Sequence, residues 1–136
     1  PQALHWVKWL GIKKHVTLLP YLPQHQLWDL FFRSQIYVSL SSHDGTPNTL
    51  LEAMACGCFP IVGDIESLRD WIEPGVNGYL IDPRSSKQAA HSVIKALKND
   101  ELKRIAAQKN SAILQKCAEM GTVRKKIDSF YRHFAN

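Results

Sequence analysis

Ile36-Tyr37-Val38-Ser39-Leu40, then Ser41-Ser42-His43-Asp44-Gly45-Thr46-Pro47, then Asn48-Thr49-Leu50-Leu51-Glu52-Ala53-Met54-Ala55-Cys56-Gly57 are three adjoining pieces of different physical character. The first is short and largely β-branched, aromatic or aliphatic, which predicts a strand. The second is small and polar with one glycine, which predicts a loop. The third carries apolar residues at helical spacing, with Pro47 near its first turn and Thr46 placed to cap it. A nearly all-apolar strand feeding a helix through a short loop predicts a parallel βα unit covered on both faces. In such a sheet the loop lies at the carboxyl edge, where ligands bind. Backbone N–H groups and the positive end of the helix dipole favour an anion there. The loop has neither the Walker spacing nor G-x-G-x-x-G, so its physics points to a phosphate or other anion. The competing reading is an ordinary capped helix start.

The flanks repeat this alternation. Residues 16–19, 59–62 and 79–81 are further short apolar runs bounded by Pro, Gly, Ser or Asp. Between the runs, residues 24–34 and 65–72 have helical spacing. After Pro83 the strand signal stops, and residues 87–98, 100–117 and 122–134 read as helices. Asn99-Asp100 caps the middle one, and Gly121 separates the last two. The expectation is one α/β domain over 1–136, a Rossmann-like parallel sheet with helices on both faces. Residues 1–83 would form the α/β part and 84–136 the helical C-terminus. Four strands are fewer than the five or six usual in a doubly wound domain. Residues 4–10 read as the end of a helix, and the chain opens on Pro1 rather than Met. The sheet is therefore expected to lack its N-terminal strands, leaving an open edge.

The 136 residues, 45% hydrophobic and 21% charged, have the composition of a globular domain. A chain of this length buries roughly two thirds of its unfolded surface, which excludes a disordered tail and a disulfide miniprotein. No apolar run reaches the roughly 20 residues of a membrane span, and no secretory leader opens the sequence. The net charge of +5 is uneven. Residues 1–83 carry 5 Lys and Arg against 8 Asp and Glu, a net of −3, and residues 84–136 carry 12 against 4, a net of +8. The basic third reads as the solvated face of Lys-rich helices. Its aromatics do not interleave with the basic residues, so no nucleic-acid partner is expected. Cys56, Cys58 and Cys117 cannot all pair within the chain, and Cys56 and Cys58, too close for a zinc knuckle and set in an apolar stretch, read as small buried hydrophobes of a reducing compartment, with no metal site.

Glu52 lies in a helix that is apolar on almost every other side. A buried carboxylate needs hydrogen-bond partners, and the hydroxyls of a sugar or ribose would supply them. The rival explanation is a capping box, Thr49-x-x-Glu52.

The segment from Asp44 to Gly57 resembles the E-x7-E segment of retaining glycosyltransferases of the GT-B fold, the large glycosyltransferase family 4. Residues 16–23 resemble the strand and loop before it, 59–62 the strand after it, and Glu73-Pro74-Gly75-Val76-Asn77-Gly78-Tyr79-Leu80-Ile81 the family's later turn and strand. The resemblance implies that Glu52 holds the ribose hydroxyls of a nucleotide and that Asp44 acts at the reacting face of the donor sugar. It implies that Gly45, Thr46, Pro47, Asn48 and Thr49 border the sugar and diphosphate, and that Leu19, Pro20, Tyr21 and Leu22 line the base. The implied substrate is a UDP- or GDP-linked sugar, transferred with retention to a glycan or lipid-linked acceptor. The helix start and protein cations would neutralise the diphosphate without a cofactor or metal. Asp44 stands where the family usually has Glu, one methylene shorter. The family's diphosphate-clamping Arg and Lys and its N-terminal acceptor domain match no residues of this sequence. The resemblance thus implies a donor-binding half of a longer cytoplasmic enzyme, inactive alone and partnered by an N-terminal acceptor domain.

The alternative is a non-catalytic nucleotide- or partner-binding α/β module. His43 beside Asp44 reads as a polar loop residue before it reads as a general base, and the other histidines are scattered. No G-x-S-x-G elbow is present. Trp6, Trp9, Trp28 and Trp71 read as core or interface residues. Arg124-Lys125-Lys126 reads as a wet helix face, with peripheral contact to an anionic membrane surface as the second reading.

Overall fold

Side chains alternate across a strand, and at Phe59–Gly63 (β2) both sets are buried. One set, Phe59 and Ile61, joins Tyr79, Ile81, Ala96 and Ala106 in one core cluster. The other side of the strand contributes Val62 to a second cluster with Leu50, Met54, Leu68 and Ile72. The sheet therefore needs a helical layer on each face, and has one. The computed structural model describes residues 2–45, 47–118, 121 and 123–125. Ile36–Ser39 (β1), β2 and Tyr79–Ile81 (β3) form a parallel sheet in the order β1-β2-β3. Ile36 lies opposite Phe59, and Ile61 opposite Tyr79. The helices are Gln2–Trp9 (α1), Gln24–Phe32 (α2), Asn48–Ala55 (α3), Glu66–Arg69 (α4), Ser86–Leu97 (α5) and Asp100–Cys117 (α6), with a 3-10 turn at Lys13–His15. Helices α5 and α6 cover the Ile61 face, through Ala89, Val93 and Leu102, while α3 and α4 cover the Val62 face. Helix α2 packs Phe31 against Ala53 and Cys58. This is the expected Rossmann-like arrangement.

Residues 16–19 correct the expectation of a fourth strand. They join no ladder among the described residues, and Leu18 and Leu19 are about half exposed. An apolar run becomes a strand only where a neighbour offers its N–H and C=O groups, and among the described residues none stands beside this one. Helix α6 has the expected bounds, and Asn99 caps it by accepting a hydrogen bond from the Leu102 N–H at 2.9 Å. Helix α5 is capped by Ser85, which accepts from Gln88 N. The expected helix at 65–72 shrinks to α4, and the helices at 24–34 and 47–57 lose one to two residues at their ends. Of the expected helix at 122–134, only residues 123–125 lie within the described set.

A buried amide pair joins the turn before β3 to α6. Asn77 Nδ2 donates to Asn110 Oδ1 at 2.8 Å and to the Trp71 carbonyl at 2.9 Å, and Asn110 Nδ2 donates to the Asn77 carbonyl at 3.1 Å. Asn77 Oδ1 accepts from the Glu73 N–H at 2.7 Å. Both side chains are fully buried, and their partners account for why two polar groups sit in the core. No described helix is long and apolar enough to cross a membrane.

Candidate functional site

The three strands end together at Ser39, Gly63 and Ile81, so the segments that follow them share one edge of the sheet. The loop after β1 carries Ser42, His43, Asp44 and Gly45, all exposed. Its course is held from the neighbouring strand end. Ser67 Oγ donates to the Asp44 carbonyl at 2.9 Å. At Gly63 a Cβ would sit 2.5 Å from the Ser41 carbonyl oxygen, so only a glycine lets the loop pass this closely. Ser42, His43, Asp44, Ile65, Glu66 and Ser67 line a cavity of about 280 Å³ between the loop and the start of α4.

Helix α3 opens at Asn48, and the Pro47 carbonyl accepts from the Leu50 and Leu51 N–H groups at 3.0 and 3.4 Å. The start expected at Pro47 is thus met within one residue. Thr46, the expected cap, lies outside the described residues. The capping box is not formed. The Thr49 hydroxyl instead pairs with the Tyr37 hydroxyl at 3.1 Å, and Glu52 Oε1 accepts from Gln24 Nε2 at 2.8 Å.

Glu52 also departs from the fully buried carboxylate that an all-round apolar helix predicts. It is half-buried, one turn into α3, and borders an apolar groove of about 370 Å³ with Leu51, Ala55 and Leu114. Helix α3 spends its apolar residues on the core through Leu50, Ala53 and Met54, which turns Glu52 to the rim of the groove. Its charge reaches Cys56, whose thiol is pushed up first by burial and then by the Glu52 carboxylate. Asp44 and Glu52 therefore line separate hollows, the first between the loop and α4 and the second between α3 and the end of α6. Of the residues expected to line a base, Leu19, Pro20 and Tyr21 are exposed, Tyr21 at 94%, and Leu22 is half-buried. This segment leads through Pro23 into α2, and so to Gln24. Gln24, Ser67 and Gly63 are the site residues that periodicity does not flag. Trp6 and Trp9 meet edge to face at 5.5 Å while both stay exposed, so they are not core. Among the described residues no three His, Cys, Asp or Glu side chains are grouped as metal ligands.

Comparison with known proteins places this edge in context. A relative from Thermobispora bispora, a D-inositol 3-phosphate glycosyltransferase, is 32% identical over 104 residues, 76% of this chain and 24% of its own length. An O-antigen chain mannosyltransferase B of Escherichia coli is 25% identical over 107 residues, 79% of this chain and 25% of its own. The chain thus spans about a quarter of the curated relatives it matches. Sucrose-phosphate synthase of Thermosynechococcus elongatus superposes with a TM-score of 0.89 at 18% identity, over 98% of this chain and 33% of that one. The C-terminal domain of a glycosyl transferase group 1 family protein, LpcC of Francisella tularensis, superposes at 0.78 and 23% identity, over 88% and 62%. HepE of Anabaena, solved in complex with UDP, does so at 0.87 and 20%, over 97% and 36%. The fold is that of a GT-B C-terminal domain, and since the profile of the glycosyl transferases group 1 matches residues 2–112, the chain belongs to that family.

Proposed function

We propose that residues 1–136 are part of the donor-binding half of a longer retaining glycosyltransferase, and that the edge described above binds a UDP- or GDP-linked sugar. The observation that carries this reading is the placement of Asp44 in the loop before α3 and of Glu52 one turn into that helix, within a family of sugar transferases. That the HepE structures hold UDP and UDP-glucose supports the choice of ligand. In this reading Glu52 accepts hydrogen bonds from the ribose hydroxyls, and residues 19–22 border the base. Gly45, Thr46, Pro47, Asn48 and Thr49 border the diphosphate, whose charge the helix start offsets. Asp44 meets the transferred sugar in the cavity it shares with Glu66. In the reaction the bond from the sugar's anomeric carbon to the diphosphate breaks and a bond to an acceptor hydroxyl oxygen forms. Nucleoside diphosphate and a proton are released. The acceptor, a glycan or lipid-linked, would be held by a separate N-terminal domain, so the 136-residue chain alone transfers no sugar.

Calorimetric titration of the chain with UDP, GDP and ADP tests the reading. Binding of UDP or GDP, weakened at least tenfold in Glu52→Ala, is expected, and binding of ADP alone overturns the choice of ligand. Equal binding by native chain and variant, or binding of none of the three, overturns it.

A further inference from the structure

We infer that Gln24 is the positioning residue of the nucleotide site: its side-chain amide holds the Glu52 carboxylate in the orientation that meets the ribose. The inference rests on the donor-site reading above and adds to it a residue that carries no motif.

Gln24 and Glu52 are 28 positions apart and belong to different helices, yet Gln24 Nε2 donates to Glu52 Oε1 at 2.8 Å. Both ends of this bond have fixed footings. Gln24 is the first residue of α2, and the Pro23 carbonyl accepts from the Gln26 and Leu27 N–H groups at 3.0 and 3.1 Å. The same helix buries Phe31 against Ala53, the residue next to Glu52. The α2–α3 spacing is thereby set by apolar packing, and the amide reaches the carboxylate across it. Gln24 also follows directly on residues 19–23, so one short segment runs from the proposed base side of the site to its ribose side.

The chemistry suits positioning rather than neutralisation. A carboxylate offers about four acceptor positions and one amide N–H takes one of them, which leaves Oε2 open to a pair of vicinal hydroxyls. An uncharged amide leaves the negative charge in place, where a lysine would have paired it. A glutamate at the rim of a groove has several rotamers to lose on binding, at roughly 0.5–1.5 kcal/mol per side chain ordered. The hydrogen bond orders it before the nucleotide arrives.

The test is a double-mutant cycle read by calorimetry with UDP and GDP. Gln24→Ala is expected to weaken binding about two- to twelvefold, the range that this ordering cost converts to. Gln24→Glu, which sets a second carboxylate against Glu52, weakens it further. In a Glu52→Ala background neither substitution has any effect. A 2′,3′-dideoxy form of the same nucleotide binds native chain and Gln24→Ala alike, a result that a general loosening of α2 would not give. Without nucleotide, the Gln24 side-chain amide resonance, assigned by its loss in Gln24→Ala, moves in Glu52→Ala. Both side chains are at the surface, so the melting curves of the variants overlay. Native affinity in Gln24→Ala with loss in Glu52→Ala overturns the inference and leaves the donor site standing. An undiminished Gln24 effect in the Glu52→Ala background also overturns it. No change in Glu52→Ala itself removes both.

Discussion

Two neighbouring strands of one sheet behave as different materials. Strand β2 is buried at every position, with β1 and β3 on its edges and helices on both faces. Strand β1 pairs on one side only among the described residues, and Val38 in its middle is 46% exposed. Yet the loop that carries Asp44 springs from β1, while β2 contributes only the glycine beneath it. The buried strand supplies the footing, and its half-paired neighbour supplies the loop. Loops bear function because a rigid neighbour positions them, and here that neighbour is one strand away.

The largest expected break in this contrast comes from truncating equivalent aliphatic positions. Ile61→Ala in β2 should lower the unfolding free energy by about 3–4 kcal/mol in urea titrations, since it leaves a cavity between the sheet and the α5–α6 layer. Val38→Ala in β1 should cost under about 1 kcal/mol. Equal losses would mean that β1 is covered in solution.

Next in size is the buried amide pair. Asn110→Ala removes a partner from both the side-chain amide and the carbonyl of Asn77, which should cost about 2–3 kcal/mol by the same titration. The Asn77→Ala, Asn110→Ala double variant should cost less than the sum of the two.

Gly63→Ala should cost about 1–2 kcal/mol, because the new methyl forces the Ser41 carbonyl aside. It also sharpens the comparison. If β2 is the footing of the loop, nucleotide binding falls in Gly63→Ala, while Gly57→Ala, which strains the turn after α3 at a φ of +86° but meets no neighbour, costs stability and leaves binding as it was.

Smaller still is a pH effect confined to the packed side. Burial first, and the nearby Cys56 second, push the Cys58 thiol up to about 11 from an ordinary 9.0. The folded state therefore keeps a proton that the unfolded chain releases. Stability is full below about pH 9 and declines between about 9 and 11. Denaturant midpoints across that window should fall in native chain and stay flatter in Cys58→Ala. At the exposed end of the scale, the hydrogen bond from Arg69, then its charge, holds the Asp64 carboxyl below its ordinary value. Any stabilisation from this pair is present above the carboxylate range and lost as pH falls through the lowered value. Both side chains are well exposed, so Asp64→Asn should leave the melting temperature unchanged at physiological salt.

Much of this was legible along the chain. The runs at 36–40, 59–62 and 79–81 became strands because each is short, apolar and bounded by turn formers. The 100–117 helix has its predicted start because Asn99 caps it locally. Residues 16–19 look the same by composition and are not a strand, since pairing depends on a neighbour that composition does not describe. Glu52 stood out as the lone acid in an apolar helix, but its partner did not. Gln24 is ordinary at its own position and becomes informative only when α2 lies on α3. Asn77 and Asn110, read singly, belong to a turn and a Lys-rich helix, and nothing in either segment announces a buried pair 33 residues apart.

By itself the sequence determined the alternation of strand and helix, the loop-to-helix segment with its two acids, and the family to which they belong. These rest on local periodicity, capping and turn chemistry, which act within a few residues. Tertiary structure decided that β2 is central, that the Asp44 loop is held by Gly63 and Ser67, and that Gln24 meets Glu52. Each of these depends on packing between segments 18 to 28 positions apart, and the free energy of such contacts exists only once the layers have closed.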